Sequence, residues 1–309
     1  MSGVSARDIG HRVVVRHQLD GGQATDVIGV LQSYDDRTLE IRHADSTPYR
    51  IHREAVVAAK PIPPMPLRRV DAEQLFLTTA LGRPAAETQY VGEWLLRASG
   101  GWTGRANSVL PAGDPGLPFS DAAKQVEAFY LERGLPPLAL TRIGHPEFEE
   151  FTGLGWTDAR PEKSDALVLH TTLDHVNGVP AYEVLVADRP DAEWYAAAFD
   201  GDVPAAAPAV MEGPPKAAFA SVELDGRVVA VARGSMTGHW LGVDAVRVDP
   251  AYRRRGLATA ALQGLARWAG PLGGRRTYLE VEEENAGALT TYTGLGYVEA
   301  YRYRYLTKR

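Results

Sequence analysis

Asp249-Pro250-Ala251-Tyr252-Arg253-Arg254-Arg255-Gly256-Leu257-Ala258-Thr259 is the stretch that decides how this chain folds. The residues before it, Val243 to Val248, read as a strand. Those after it place Leu257, Ala261, Leu262, Leu265 and Ala269 on one face at helical spacing. A strand that runs through a basic, glycine-containing turn into a helix builds an anion site. The amides of the first helical turn lack helical partners, the helix dipole favours negative charge, and small residues at 256 and 258 let an anion approach the backbone. Taken alone, an ordinary strand-to-helix turn with solvated arginines reads the same way.

The downstream sequence separates the two readings. Thr277 to Glu282 reads as a strand, and a polar turn leads into Asn285-Ala-Gly-Ala288-Leu-Thr-Thr-Tyr292-Thr-Gly-Leu295-Gly296-Tyr297. The first stretch, Arg253-x-x-Gly256-x-Ala258, resembles the acyl-CoA-binding loop of the GCN5-related N-acetyltransferases. The second resembles that family's later motif at Leu279, Glu280, Val281, Asn285, Ala288, Tyr292, Leu295, Gly296 and Tyr297, in the right order and with one helix between.

The resemblance implies acetyl transfer from acetyl-CoA, as co-substrate, to a primary amine. It implies cofactor contacts along Val246, Arg247 and Val248, through Arg253, Arg254, Arg255, Gly256, Leu257, Ala258 and Thr259, and at Asn285 and Tyr292. It makes Tyr292 the general acid for the departing thiolate; a core aromatic on an amphipathic helix is the other reading of that residue. Glu280 matches the glutamate used as base in the ribosomal-protein alanine acetyltransferase branch, against a strand carboxylate facing solvent or an arginine. Asp244 and then His239 stand in reserve as bases.

Phe151-Thr-Gly-Leu-Gly-Trp156 parallels Tyr292-Thr-Gly-Leu-Gly-Tyr297 position for position. A helix pattern from Asp121 to Arg133 and a strand pattern from Leu138 to Ile143 precede it, the same order as in the later half. The earlier copy reads as degenerate. Phe151 lacks the phenolic proton, and the segment from Arg105 to Gly116 carries prolines and Asp114 in place of the basic loop. Such a copy is expected to pack against the complete one and help wall the acceptor site.

Residues 10 to about 60 read as short strands, Val13–Val15, Val27–Leu31, Thr38–Ile41 and Tyr49–Ile51, with turns at Asp20-Gly-Gly22, Asp35-Asp36 and Asp45-Ser46. That predicts a small SH3-like β-barrel, followed by a stiff linker from Pro61 to Pro66. Only Tyr34 and Tyr49 offer aromatic faces, which disfavours base stacking or a proline-peptide groove and favours a structural role.

The fold class is therefore α/β (α+β): tandem GCN5-related acetyltransferase folds, the first degenerate, behind the barrel. The expected division is 1–64, 65–177 and 178–309. With a net charge of −6 over 309 residues and mixed charges throughout, a nucleic-acid partner is not expected. Cysteine is absent, which excludes disulfides, thiolate metal sites and an acetyl-cysteine intermediate; no metal-ligand spacing stands out, so no metal is expected. No apolar run suits a membrane span and no signal-peptide core appears, so the expectation is a cytoplasmic protein, with a homodimer among the open assemblies.

The whole arrangement resembles an actinobacterial acetyltransferase group, some members of which are assigned as N-acetylglutamate synthases. That resemblance implies L-glutamate as acceptor, with Arg97, Arg105, Arg233 and Arg247 available for its carboxylates. A protein N-terminus or lysine, a polyamine or an antibiotic amine are the other acceptors, and an acetyl-CoA-sensing module is the non-enzymatic reading.

Overall fold

The computed structural model describes residues 3–19, 21–43, 47–62 and 67–308. Asp20, Asp45, Ser46 and the linker residues 63–66 lie outside the described residues. The N-terminal unit holds β1 (Arg12–Gln18), β2 (Ala24–Tyr34), β3 (Thr38–Arg42), β4 (Pro48–His52) and β5 (Val56–Pro61), antiparallel in the order β4-β3-β2-β1-β5. Alternation turns Val13, Val15, Leu31, Leu39, Ile41 and Ile51 into one core. Gly29 is required there: a Cβ would sit 2.2 Å from the Arg42 carbonyl oxygen.

The expected barrel is not closed. A short helical turn at Arg53–Ala55 carries the chain from β4 to the far edge, where β5 pairs with β1. Among the described residues β4 pairs with β3 alone, so the unit is an open, bent sheet.

The remainder contains α1 (Arg69–Gly82), β6 (Glu87–Val91), β7 (Trp94–Ala98), α2 (Phe119–Leu131), β8 (Leu138–Arg142), α3 (Pro146–Gly153), β9 (Thr157–Asp158), β10 (Ala166–Thr172), α4 (Leu173–Val176), β11 (Leu185–Ala187), α5 (Ala192–Phe199), α6 (Ala207–Met211), β12 (Ala217–Leu224), β13 (Arg227–Thr237), β14 (Trp240–Val248), α7 (Leu257–Ala269), β15 (Arg276–Glu282), α8 (Ala286–Gly294) and β16 (Val298–Thr307). A hairpin forms about Asp225-Gly226, a sequence pair that favours a tight two-residue turn: both residues have positive φ, and Leu224 pairs with Arg227 across the loop.

One mixed sheet runs β11-β12-β13-β14-β15-β10-β16-β8, with β9 beside β16. Among the named strands of the described residues, β14 and β15 alone pair in parallel. Helices α4, α7 and α8 cover one face through Leu173, Leu262, Leu265 and Tyr292, and α1, α5 and α6 cover the other through Phe76, Trp194 and Met211. No helix among the described residues is long and apolar enough to cross a membrane.

The same order of elements occurs twice. Val109 makes a parallel bridge to Ala139 of β8 and Leu110 an antiparallel bridge to Leu95 of β7, as β14 lies between parallel β15 and antiparallel β13. In the earlier copy, aromatic rings fill the interior around Phe151. Phe119 lies 4.9 Å from it, Trp94 5.6 Å and Trp156 4.7 Å, centroid to centroid. The copies are joined by exchange: β10, which precedes the later copy, inserts between β15 and β16, and β16 pairs with β8.

Candidate active site

β14 and β15 pair from Trp240↔Arg276 to Val243↔Leu279 and then part. On its other side β14 slips register: Asp244 faces Arg233 but Arg247 faces Val231, so a bulge forms at Ala245, whose φ is +48°. The bulge turns the end of β14 away from β15 and opens a cleft of about 470 Å³. Val246, Arg247 and Val248 form one wall, Arg253, Arg254 and Gly256 to Thr259 the floor, and Asn285, Ala288 and Tyr292 the other wall. Arg255 is not on this wall; its guanidinium stacks over Tyr252 and its carbonyl accepts from Tyr182.

The floor follows from the loop sequence. Asp249 accepts from the Ala251 amide at 2.8 Å and starts a short turn. Arg254 and Gly256 then take positive φ, and Gly256 stands at the N-cap of α7 with no side-chain cap. A side-chain oxygen there would occupy the first amides; without one they remain open to a ligand.

Tyr292 is buried on α8 against Tyr297, and its hydroxyl has no partner among the described residues. Burial pushes its phenol up to about 12, so it carries its proton at neutral pH. Asn285 caps α8, accepting from the Ala288 amide at 3.1 Å.

On the opposite face of the sheet, just past the last paired residues, lies a charged seam between the two copies. Arg83, at the C-cap of α1, donates 2.8 Å bonds to Asp244 Oδ2 and Glu280 Oε1. Arg105 donates from Nε to Glu280 Oε2 at 2.7 Å, and the Tyr303 hydroxyl donates to the same oxygen at 2.5 Å. Arg233, fully buried, donates to Asp244 Oδ2 at 2.5 Å and to the carbonyls of Met211 and Gly82. Arg97 is buried against Ser108, to which it donates twice at 3.0 Å. Gly82 and Gly242 make room for Tyr278, whose hydroxyl would lie 2.4 and 2.5 Å from an added Cβ.

Glu280 sits among cations. Desolvation alone would raise its pKa, but Arg105 and Arg83 outweigh it and hold the carboxyl at about 2. Both oxygens are engaged and its side chain is only 5% exposed, so it accepts a proton from an ammonium poorly. Asp244 keeps one oxygen, Oδ1, buried and unpartnered. His239 lies exposed on the β13–β14 turn, at the far end of β14 from the bulge. Of the four arginines anticipated, Arg97, Arg105 and Arg233 reach the seam or its border, whereas Arg247 pairs with Asp200 on the other side of β14.

Sequence reasoning missed Arg83, Tyr303 and the Ala245 bulge. Gly82-Arg83-Pro84 marks a helix end, but nothing in that signal aims the guanidinium at residues 244 and 280.

A family model described as "Probable histone acetyltransferase Rv0428c C-terminal" matches residues 71–306, and one described as "Rv0428c N-terminal Sm-like domain" matches residues 7–60. The N-terminal unit is thus similar to an Sm-like domain. The chain is 27% identical over 316 residues to the "Probable histone acetyltransferase Rv0428c" of Mycobacterium tuberculosis, covering 98% of this chain and 96% of that one. It is 26% identical over 252 residues to the "Uncharacterized N-acetyltransferase YobR" of Bacillus subtilis, covering 77% and 99%. A solved GCN5-related N-acetyltransferase from Kribbella flavida superposes with a TM-score of 0.58 at 20% identity, covering 79% of this chain and 96% of that one, which shows a shared fold. With its split strands, bulge and open helix N-terminus, the chain belongs to the family of the Rv0428c C-terminal model and is an N-acetyltransferase of the GCN5-related type.

Proposed function

We propose that the protein transfers an acetyl group directly from acetyl-CoA to the amine of a small, carboxylate-bearing acceptor, with the α-amine of L-glutamate as the leading candidate. Acetyl-CoA fits the cleft: the uncapped start of α7 suits its pyrophosphate, and the side of β14 facing β15, unpaired past Val243 among the described residues, can bond its amide-rich arm. Acetyl-CoA supplies the thioester. The amine nitrogen forms a bond to the thioester carbonyl carbon and loses a proton, the C–S bond breaks, and the leaving thiolate takes a proton from Tyr292 Oη. Val246 to Val248 line the wall where the developing oxyanion would sit.

What favours a carboxylate-bearing acceptor is the charge count of the seam. Among the described residues Arg83, Arg105 and Arg233 pair with Glu280 and Asp244, three cations to two anions, and Arg97 is buried on Ser108 within reach of the Glu280 charge. Arg105 engages through Nε, which leaves its terminal nitrogens for a substrate carboxylate. Glu280 acts as the fixed anion that orients Arg105, not as the base, and the amine loses its proton to Asp244 or to water. The first copy, in this reading, binds no acetyl-CoA and contributes Arg83 and Arg105 instead.

A second reading is acetylation of a protein amine, favoured by the histone acetyltransferase description of the mycobacterial relative. Polyamines and antibiotic amines would meet the same cationic seam and are disfavoured by it. Release of CoA thiol, with L-glutamate beside other amino acids, polyamines and basic peptides, separates these. The chain has no cysteine, so a thiol reagent reports CoA alone. Saturable release with L-glutamate, weakened in KM by Arg105→Ala, is the expected result. Release with basic peptides and none with any amino acid would replace it with the protein-amine reading.

A further inference from the structure

The N-terminal Sm-like unit sits on the turn that ends α8, the helix bearing Tyr292. His11 Nε2 lies 3.2 Å from the Gly294 carbonyl oxygen, as a donor to it. The His11 ring meets the edge of His175 at 6.4 Å, and Arg42 pairs with Asp174 at 3.3 Å. His175, held by Thr172 Oγ1 at 2.6 Å, packs against Gly296, where a Cβ would fall 2.8 Å from the imidazole.

We propose that His11 is a positioning residue for Tyr292, acting through the Gly294 carbonyl; the proposal rests on Tyr292 being the general acid. α8 has nine residues, too few to hold itself in place. Its last carbonyls have no helical partners, and Gly294 is one of them. The turn beyond it is tied to Tyr292 itself, whose carbonyl accepts from the amides of Leu295 and Tyr297 at 3.0 Å each. Gly296, at φ +77°, has no Cβ to meet the His175 ring packed against it. The His11 bond thus fixes the end of the segment whose other member is the phenol in the cleft. Loss of one such bond shifts the phenol without touching the floor that holds the anionic part of the cofactor.

The test uses the full-length protein, acetyl-CoA, and L-glutamate or whichever amine of the panel above releases CoA fastest. Four variants are compared: His11→Ala, His11→Gln, Tyr292→Phe and His11→Ala with Tyr292→Phe. His11→Ala should lower kcat about threefold or more and leave the acetyl-CoA KM unchanged. His11→Gln, whose amide donates, should recover most of the loss. In the Tyr292→Phe background His11→Ala should cost nothing further. Should His11→Ala not fold, His11→Leu carries the same expectation, since it keeps bulk and lacks a donor. A wild-type kcat for His11→Ala, or an undiminished loss on top of Tyr292→Phe, overturns the proposal while leaving Tyr292 in its role. A wild-type kcat for Tyr292→Phe removes the acid and the proposal together, and that is read from a separate variant.

Discussion

Arg83 donates from Nη1 to Glu280 Oε1 at 2.8 Å, across 197 residues of chain. Its Nε reaches Asp244 at the same distance, so one guanidinium of the earlier copy ties together the two strands that part in the later one. The splay of β14 from β15 is thereby closed on one face by a charge bridge and left open on the other for the cleft.

Arg83→Gln leaves two nearly buried carboxylates with one fewer cation. It should destabilise the protein by about 3 kcal/mol, read as a lower denaturant midpoint. Arg83→Lys should recover only part of this, because an ammonium cannot span both carboxylates as the planar fork does. A midpoint unchanged in Arg83→Gln would show that the bridge is dispensable.

Tyr292→Phe should lower kcat by about a hundredfold while acetyl-CoA affinity stays within about twofold. The phenol is held at about 12, so its proton is in place through the neutral range. The wild-type rate should therefore show no falling alkaline limb from this group below about pH 11. A limb near pH 9 that disappears in Tyr292→Phe would contradict the assignment.

Gly256 has φ +82°, with open space where a Cβ would go. Gly256→Ala therefore meets backbone strain and no clash, a cost of about 1 kcal/mol. In an exposed loop that strain relaxes by turning the amides of α7 away from the ligand. The KM for acetyl-CoA should rise about fivefold, with kcat at saturation nearly unchanged. Steady-state kinetics at varied acetyl-CoA decide it.

His170 is buried beside Trp240 with neither ring nitrogen partnered, and desolvation brings it from 6.5 to about 4. The unfolded chain then binds the extra proton between those values. Stability is full above pH 6.5 and falls as the pH falls towards 4; His175, also at about 4, acts in the same window. Melting temperatures across pH 4 to 7 should fall less steeply in His170→Leu than in the wild type. Parallel curves would mean that another group controls the acid limb.

Much of this was legible in the sequence. The Arg253–Thr259 loop, the strand before it, the Tyr292 helix and the Asp225-Gly226 hairpin each rest on local signals: small residues at tight turns, helical spacing, a two-residue turn. The partners of Glu280 were not legible. Its strand position tells which face it occupies, but the cations that meet it come from a helix end at residue 83 and a loop at residue 105, and no periodicity encodes that distance. Closure of the N-terminal sheet was also beyond reach. Alternation counts strands and faces, whereas whether β4 and β5 meet depends on the angle set by the Arg53–Ala55 turn. The filling of the earlier copy by Phe151, Trp94, Phe119 and Trp156 was half visible, as a missing hydroxyl rather than as a packed interior.

The exchange of β10 and β16 bears on how the molecule is made. Translation delivers the earlier copy first, yet the strand that pairs with its β8 is β16, which leaves the ribosome after every other described strand. Until then the amides and carbonyls along β8 present a bare edge, and β10 waits for both of its neighbours, β15 and β16. The nascent chain cannot settle its halves in turn, as beads on a string would. Ordering of the sheet is postponed until β16 has been made, and a ribosome that stalls within residues 283–297 releases a chain in which β8 lacks β16 and β10 lacks one of its two neighbours, edges open to aggregation.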